Sequence, residues 1–168
     1  MPLRDDGGPI PDGWTRVEPG APLAPRSLLA LDDAEARGEA LAGVAPEALG
    51  IAIPNDAERA RVAPWLARVS LIAVAFPAFN DGRGFSLARA LRAKGYAGRL
   101  RAAGPVIADQ YAYLRECGFD EVEIPEALAA RQPEAHWAAA AKRVGLSYQQ
   151  GYDGRRNILA ARAMARGQ

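Results

Sequence analysis

The fold is decided by the stretch VSLIAVAFPAFNDGRGFS, residues 69–86. Its first part, Ser70–Phe76, is an almost continuous apolar run, which is typical of a strand covered on both faces of a parallel sheet. Pro77 ends the run, a glycine-rich loop follows, and Ser86 begins a helical pattern that continues through Leu87–Lys94. The stretch therefore predicts a strand, a loop and a helix N-terminus in direct succession.

The same alternation recurs along the chain. Four more short runs, each followed by a helix-compatible segment, lie at Ser27–Leu31, Leu49–Ile53, Gly98–Gly104 and Glu121–Ile124. Strands that alternate with helices in this way indicate βα units and a mainly parallel sheet. Four or five such units are too few to close an eight-stranded barrel. The expected fold class is α/β, with a half-barrel-like sheet or an open sandwich.

The two ends of the chain differ from this central region. Residues 1–26 contain six prolines among several glycines, which predicts an arm without regular structure apart from a short strand near Trp14–Val17. Residues 27–150 predict a single α/β domain. Residues 151–168 predict an arginine-rich tail, whose pattern would suit an amphipathic helix docked on the domain or on a partner.

The composition is that of an ordinary soluble protein, with 49% hydrophobic and 24% charged residues. The net charge of +1 conceals an asymmetry. Residues 1–60 carry 5 basic and 11 acidic side chains, and the remainder carries 16 and 9. This balance is too mild for a nucleic-acid-binding protein, but it favours anionic ligands or an acidic partner. Because no apolar run resembles a signal peptide or a membrane span, we expect a cytoplasmic protein without membrane contact.

The scarcity of cysteine and histidine limits which metal and redox sites the chain can form. The chain has one of each, Cys117 and His136. A zinc site needs about four ligands and an iron–sulfur cluster usually needs four cysteines, so no metal site is expected. The loop around Gly82 and Gly84 is neither a Walker A loop nor a complete dinucleotide fingerprint. No cofactor is therefore evident from the sequence. A homo-oligomer is also possible on the sequence alone.

The loop Asp81–Ser86 is the candidate site. In parallel α/β sheets, ligands bind at the carboxyl ends of the strands. The loop would place backbone N–H groups and the Ser86 hydroxyl at a helix N-terminus, which favours oxyanions. Gly82 and Gly84 are expected to supply a tight backbone with positive φ angles. Arg83 would add bidentate contacts to sulfate, sulfite or phosphate.

Other roles for the same residues stay open. Ser86 would serve equally well as a simple helix cap, and Asp81 as a turn cap or as an ion-pair partner of Arg83 or Arg101. If the loop is catalytic, Asp81 and Arg83 are the candidate residues, with Asp81 as base. Three further polar residues are placed at the same sheet edge as candidate ligand contacts, namely Arg101, Asp109 and Gln110.

Four segments carry a resemblance to a known family: FPAFNDGRGFS at residues 76–86, LRAAG at 100–104, the pair Asp109-Gln110, and LRECGFD at 114–120. They resemble an uncharacterised bacterial domain-of-unknown-function family, often labelled a probable oxidoreductase, whose genes typically lie near those for assimilatory sulfite reductase. The resemblance covers about residues 27–125 and supplies no catalytic residues.

The resemblance implies a pathway rather than a mechanism. It favours an accessory protein of assimilatory sulfate and sulfite reduction, which would bind an oxyanion or the sulfite reductase itself. The alternative is a small oxidoreductase, or an enzyme acting on a phosphorylated or sulfated metabolite at the Asp81–Ser86 loop. Whether the protein is an enzyme is left open at this point.

Overall fold

The computed structural model describes residues 1–143, which form one eight-stranded sheet with helices packed on it. The strands are β1 (Leu3–Asp5), β2 (Gly8–Ile10), β3 (Thr15–Arg16), β4 (Ser27–Ala30), β5 (Leu49–Ile53), β6 (Leu71–Ala75), β7 (Arg99–Ala103) and β8 (Glu121–Glu123). Their order across the sheet is β2-β1-β8-β7-β6-β5-β4-β3. Strands β3 to β8 are parallel neighbours in chain order.

Helices follow the strands in regular succession. They are α1 (Leu31–Arg37), α2 (Arg59–Val62), α3 (Arg83–Ala93), α4 (Tyr111–Glu116), α5 (Glu126–Ala129) and α6 (Glu134–Ala141). One helix follows each of β4 to β8, which makes five βα units. The predicted α/β class, with a mainly parallel and half-barrel-like sheet, is therefore confirmed. None of the helices described within residues 1–143 combines the length and the apolar character that crossing a bilayer requires.

The sheet separates two layers of side chains, because successive residues of a strand point to opposite faces. On the convex face, apolar residues such as Ile51, Ile72 and Leu100 join Leu87 and Leu91 of α3 in the main core. The concave face holds a smaller apolar cluster, formed by Leu28, Leu71 and Ala73 with Trp14 and Ala52 against it. The helices thus cover only the convex side.

The sheet curls strongly enough to bring its distant strands together. Arg16 of β3 donates through Nη2 to both carboxylate oxygens of Glu123 of β8, at 2.9 and 2.8 Å. These two strands are the first and last of the six parallel ones. Their side chains meet across the concave side because the sheet bends into a half-barrel.

The proline-rich N-terminal segment is more regular than expected. The short strand near Trp14–Val17 is confirmed as β3, but the prediction that the rest lacks regular elements is wrong for β1 and β2. These strands form an antiparallel hairpin, and β1 pairs with β8. Pro9 is compatible with β2 because β2 is an edge strand, where no second neighbour needs its missing N–H. The predicted tail at residues 151–168 lies outside the described residues.

Candidate functional site

The loop between β6 and α3 begins the site at the carboxyl edge of the sheet. Helix α3 starts at Arg83 with Gly82 at the N-cap position, so Ser86 lies inside the first turn rather than at its cap. The Arg83 backbone N–H donates instead to Oδ1 of Asp81, at 3.2 Å. A carboxylate from the chain thus already occupies the helix N-terminus where an oxyanion was predicted to bind.

The glycines of the loop act differently from the prediction. Gly82 has a φ of −80°, and neither it nor Gly84 takes a positive φ, so that expectation is wrong. Gly84 lies within α3 and packs on the Phe76 ring. A Cβ at position 84 would lie 2.6 Å from Cζ of Phe76, which real side chains do not tolerate. The requirement for glycine here comes from the close approach of the helix to the ring.

Arg83 is held by two carboxylates. It forms a bidentate pair with Asp81, with Nε–Oδ1 and Nη2–Oδ2 distances of 3.0 and 2.7 Å, and its Nη1 donates to Asp56 at 2.9 Å. The Arg83 guanidinium holds the pKa of Asp81 well below its usual range. The buried Asn55 amide acts in the same direction, although its Nδ2 makes no hydrogen bond of normal geometry within the described residues. An external oxyanion would have to compete with both carboxylates for Arg83.

The other predicted site residues, Gln110, Asp109 and Arg101, do not all lie at the loop. Gln110 lies near the loop: its Oε1 accepts from the Ile107 N–H at 3.1 Å, and its Nε2 donates to the Phe79 carbonyl at 2.6 Å. Asp109 is exposed and lies 3.5 Å from Arg143. Arg101 points to the concave face, is 1% exposed, and forms its side-chain hydrogen bonds with residues outside the loop.

The concave face contains a charge network of three arginines and three carboxylates. Its members are Arg16, Arg99, Arg101, Asp12, Glu121 and Glu123. Arg101 is central, with distances of 2.7 Å to Glu121, 2.8 Å to Asp12 and 3.0 Å to Glu123. Burial is the largest single influence and would raise the pKa of Asp12. The hydrogen bonds from Arg101 and from the Trp14 N–H, together with the charges of Arg101 and Arg16, outweigh it and lower that pKa. The network is electrically balanced.

Sequence reasoning missed this network, although one signal was present. Arg99 and Arg101 alternate in β7 as Glu121 and Glu123 do in β8, and a spacing of two places each pair on one strand face. The contribution of Asp12 had no such signal, because it comes from a segment 89 residues away from Arg101.

A pocket of about 390 Å³ opens at the carboxyl ends of β5, β6 and β7. Its lining is Met1, Arg16, Ala52, Ile53, Pro54, Ala73, Ala75, Ala103 and Gly104. Ala52 lies in register with Ala73 across β5 and β6, and Ala75 with Ala103 across β6 and β7. Small side chains therefore line three neighbouring strands over two successive levels of the sheet.

A second surface lies on the outer side of α3 and α4. The Arg89 guanidinium lies over the Tyr113 ring, 5.3 Å from its centroid, and that ring is 4.9 Å from the Phe85 ring. Tyr113 is 46% exposed. A neighbouring groove of about 510 Å³ includes Arg92 and Cys117, and burial raises the pKa of the Cys117 thiol. We refer to Arg89, Tyr113 and Phe85 as the aromatic–arginine surface.

The pair formed by Asp81 and Arg83 leads to a first prediction. Replacing Arg83 with glutamine removes the cation that stabilises the ionised carboxylate, so the pKa of Asp81 should rise toward its ordinary value. Because the folded-state pKa is lowered in the parent protein, the pair contributes stability above the unfolded-state pKa and loses it as pH falls through the folded value. A carboxyl ¹³C NMR titration of parent and Arg83→Gln proteins measures the change. An unchanged Asp81 pKa would contradict the pairing.

Comparison with known proteins returns one family. A family model described as "Bacterial protein of unknown function (DUF934)" matches residues 50–159. This segment includes the β6–α3 loop, the aromatic–arginine surface and strands β7 and β8. Neither the curated proteins nor the solved structures contain a significant match to the chain.

Proposed function

The chain belongs to the bacterial family of unknown function DUF934, and we propose that it acts as an accessory protein of sulfite reduction by binding sulfite reductase. The connection with sulfite reduction comes from the resemblance carried by the segments at residues 76–86, 100–104, 109–110 and 114–120. The assignment of a binding role comes from the aromatic–arginine surface. The first of those segments supplies Phe85 to this surface, and the last begins directly after Tyr113.

The observation that carries the proposal is the stacked pair of Arg89 and Tyr113 on an exposed helix face. Arginine and tyrosine are among the residues that contribute most to protein–protein binding when they are buried in an interface. Here the pair is held in place before any partner arrives. Phe85 connects Tyr113 to Phe76 in the core, since its ring centroid lies 4.9 Å from that of Tyr113 and 5.3 Å from that of Phe76. Such preorganisation reduces the entropy lost on association.

The chemistry of the reactive groups supports binding over catalysis. Asp81 is ionised and bound by Arg83 on both of its oxygens, which makes it a weak general base. The Cys117 thiol has a raised pKa, whereas nucleophilic cysteines need a lowered one. An enzyme acting at the Asp81–Ser86 loop would first have to open the pairs that Arg83 forms with Asp81 and Asp56.

A binding experiment tests the proposal. Sulfite reductase from the same organism, titrated calorimetrically with the full chain at about 50 mM salt, should bind, and binding should weaken at about 300 mM because exposed charges are screened. Arg89→Ala and Tyr113→Ala should each weaken binding by about 5- to 30-fold, as expected for residues central to an interface. Arg59→Ala, which removes an exposed arginine of α2, is the matched control and should leave the affinity unchanged.

Two results would count against the proposal. If the parent protein does not associate with sulfite reductase at low salt, sulfite reductase is excluded as its partner. Equal weakening by Arg89→Ala and Arg59→Ala would show that general charge, rather than the aromatic–arginine surface, governs the encounter. Circular dichroism and thermal unfolding of each variant confirm that the fold is retained.

A further inference from the structure

We propose that the pocket at the carboxyl ends of β5, β6 and β7 binds a small organic anion with an apolar body. The pocket lies on the concave face of the sheet, whereas the aromatic–arginine surface lies on the helices that cover the convex face. It is therefore a separate site, and this proposal does not rest on the binding of sulfite reductase.

The space arises from a change of side-chain size along the strands. Toward the amino ends, Leu28 and Leu71 fill the concave face, and Trp14 lies against Gly50, where an added Cβ would come within 3.1 Å of the indole ring. The next level carries Ala52 and Ala73, followed by Ala75 and Ala103. Barrels of parallel strands normally fill this region with bulky branched side chains. Four alanines at the mouth leave about 390 Å³ open.

The walls of the pocket are fixed by contacts that do not involve a ligand. The pair of Arg16 and Glu123 joins the first and last parallel strands across the concave side. Gly104 packs closely against the residue that follows β6: a Cβ at position 104 would lie only 2.0 Å from the Phe76 carbonyl oxygen. Its N–H donates to the Glu123 carbonyl at 2.9 Å. A pocket with such walls keeps its shape without its ligand, as most small-molecule sites do.

The charges determine which end of the ligand enters. The charge network of three arginines and three carboxylates, to which Arg16 belongs, is balanced, so the interior offers no excess charge to a ligand. Arg16, at the rim, is 49% exposed and uses only Nη2 for its bond to Glu123. Its Nε and Nη1 make no hydrogen bond to any residue within 1–143, so they are available to donate to an acceptor supplied from outside. The apolar body thus faces the alanines, and the anionic group faces Arg16.

The volume limits the class of ligand. Ligand pockets in proteins span about 300–1,000 Å³, and this one lies near the lower end of that range. It suits a carboxylate or sulfonate on an aromatic or branched aliphatic group, and it is too small for an entire dinucleotide.

The probe for the test is 8-anilinonaphthalene-1-sulfonate, which joins an apolar body to one anionic group. The folded full chain should bind it saturably, with increased fluorescence. Ala75→Leu fills the mouth from an exposed position and should weaken binding at least tenfold. Arg16→Gln should weaken it by about 10- to 100-fold through loss of the charge-assisted hydrogen bond. Ala60→Leu, the same change at an exposed site on α2, is the matched control and should have no effect.

NMR of alanine-methyl-labelled protein locates the probe. The methyl signals of Ala52, Ala75 and Ala103 should shift during the titration, and that of Ala60 should not. Absence of saturable binding would overturn the proposal, as would binding that neither Ala75→Leu nor Arg16→Gln weakens. Equal affinity for the neutral analogue N-phenyl-1-naphthylamine would overturn the anionic assignment. Since no reductase is present, these outcomes are independent of the proposed function.

Discussion

Replacing Arg101 with leucine is expected to lower the free energy of unfolding by about 3–5 kcal/mol, the usual cost of removing one partner from a buried ion pair. Arg101 is 1% exposed, and its guanidinium forms ion pairs with Asp12, Glu121 and Glu123 at once. Glu121 and Glu123 are each 3% exposed, so water cannot replace the lost hydrogen bonds. Urea unfolding at neutral pH measures the change.

The control for this prediction is Arg99→Leu. Arg99 also pairs with Glu121, at 2.6 Å, but its side chain is half exposed and Glu121 keeps Arg101 as a partner. Its removal should cost no more than about 1 kcal/mol. Equal losses for the two variants would show that the network contributes through exposed pairs alone.

Replacing Gly104 with alanine is expected to destabilise the protein by about 2–5 kcal/mol, from backbone strain and overpacking together. Gly104 has a φ of 141°, which residues with a side chain rarely adopt. The added Cβ would lie 2.0 Å from the Phe76 carbonyl oxygen, and a backbone atom cannot move aside as a flexible side chain does. The backbone at residue 104, after β7, would have to move away from the backbone at Phe76, after β6.

Gly43→Ala provides the comparison, because a Cβ there meets no atom within 4 Å and its φ lies outside the left-handed region. Its unfolding free energy should stay within about 0.5 kcal/mol of the parent protein. Thermal and urea unfolding of both variants give the result. A loss for Gly104→Ala as small as that for Gly43→Ala would contradict the close contact with Phe76.

Much of the architecture could be predicted because it depends on neighbours in sequence. The continuous apolar run at Ser70–Phe76 predicted β6 closely, and the run at Leu49–Ile53 matches β5. Prediction failed where contacts with residues distant in sequence decided the local structure. A glycine-rich segment before a helix has several local solutions, and contacts with Asp56 and Phe76 selected the one in which α3 begins at Arg83.

The candidate site was only partly accessible for the same reason. The polar residues of Asp81–Ser86 could be placed at the carboxyl edge, since the strand before them ends there. That Asp81 would itself occupy the helix N-terminus depended on the path of the seven residues between β6 and α3, which no local pattern fixes. The roles of the loop in binding an oxyanion or in catalysis therefore stay predictions.

By itself, the sequence determined the order of strands and helices and the parallel βα character of the sheet, because hydrophobic periodicity and turn residues act over a few neighbours. The tertiary structure alone decided which charges meet and where space remains. Arg16 and Glu123 are separated by 107 residues and meet only because the sheet curls. The alanines of β5, β6 and β7 form one pocket only because strand register aligns them. Both depend on long-range geometry, which no local pattern encodes.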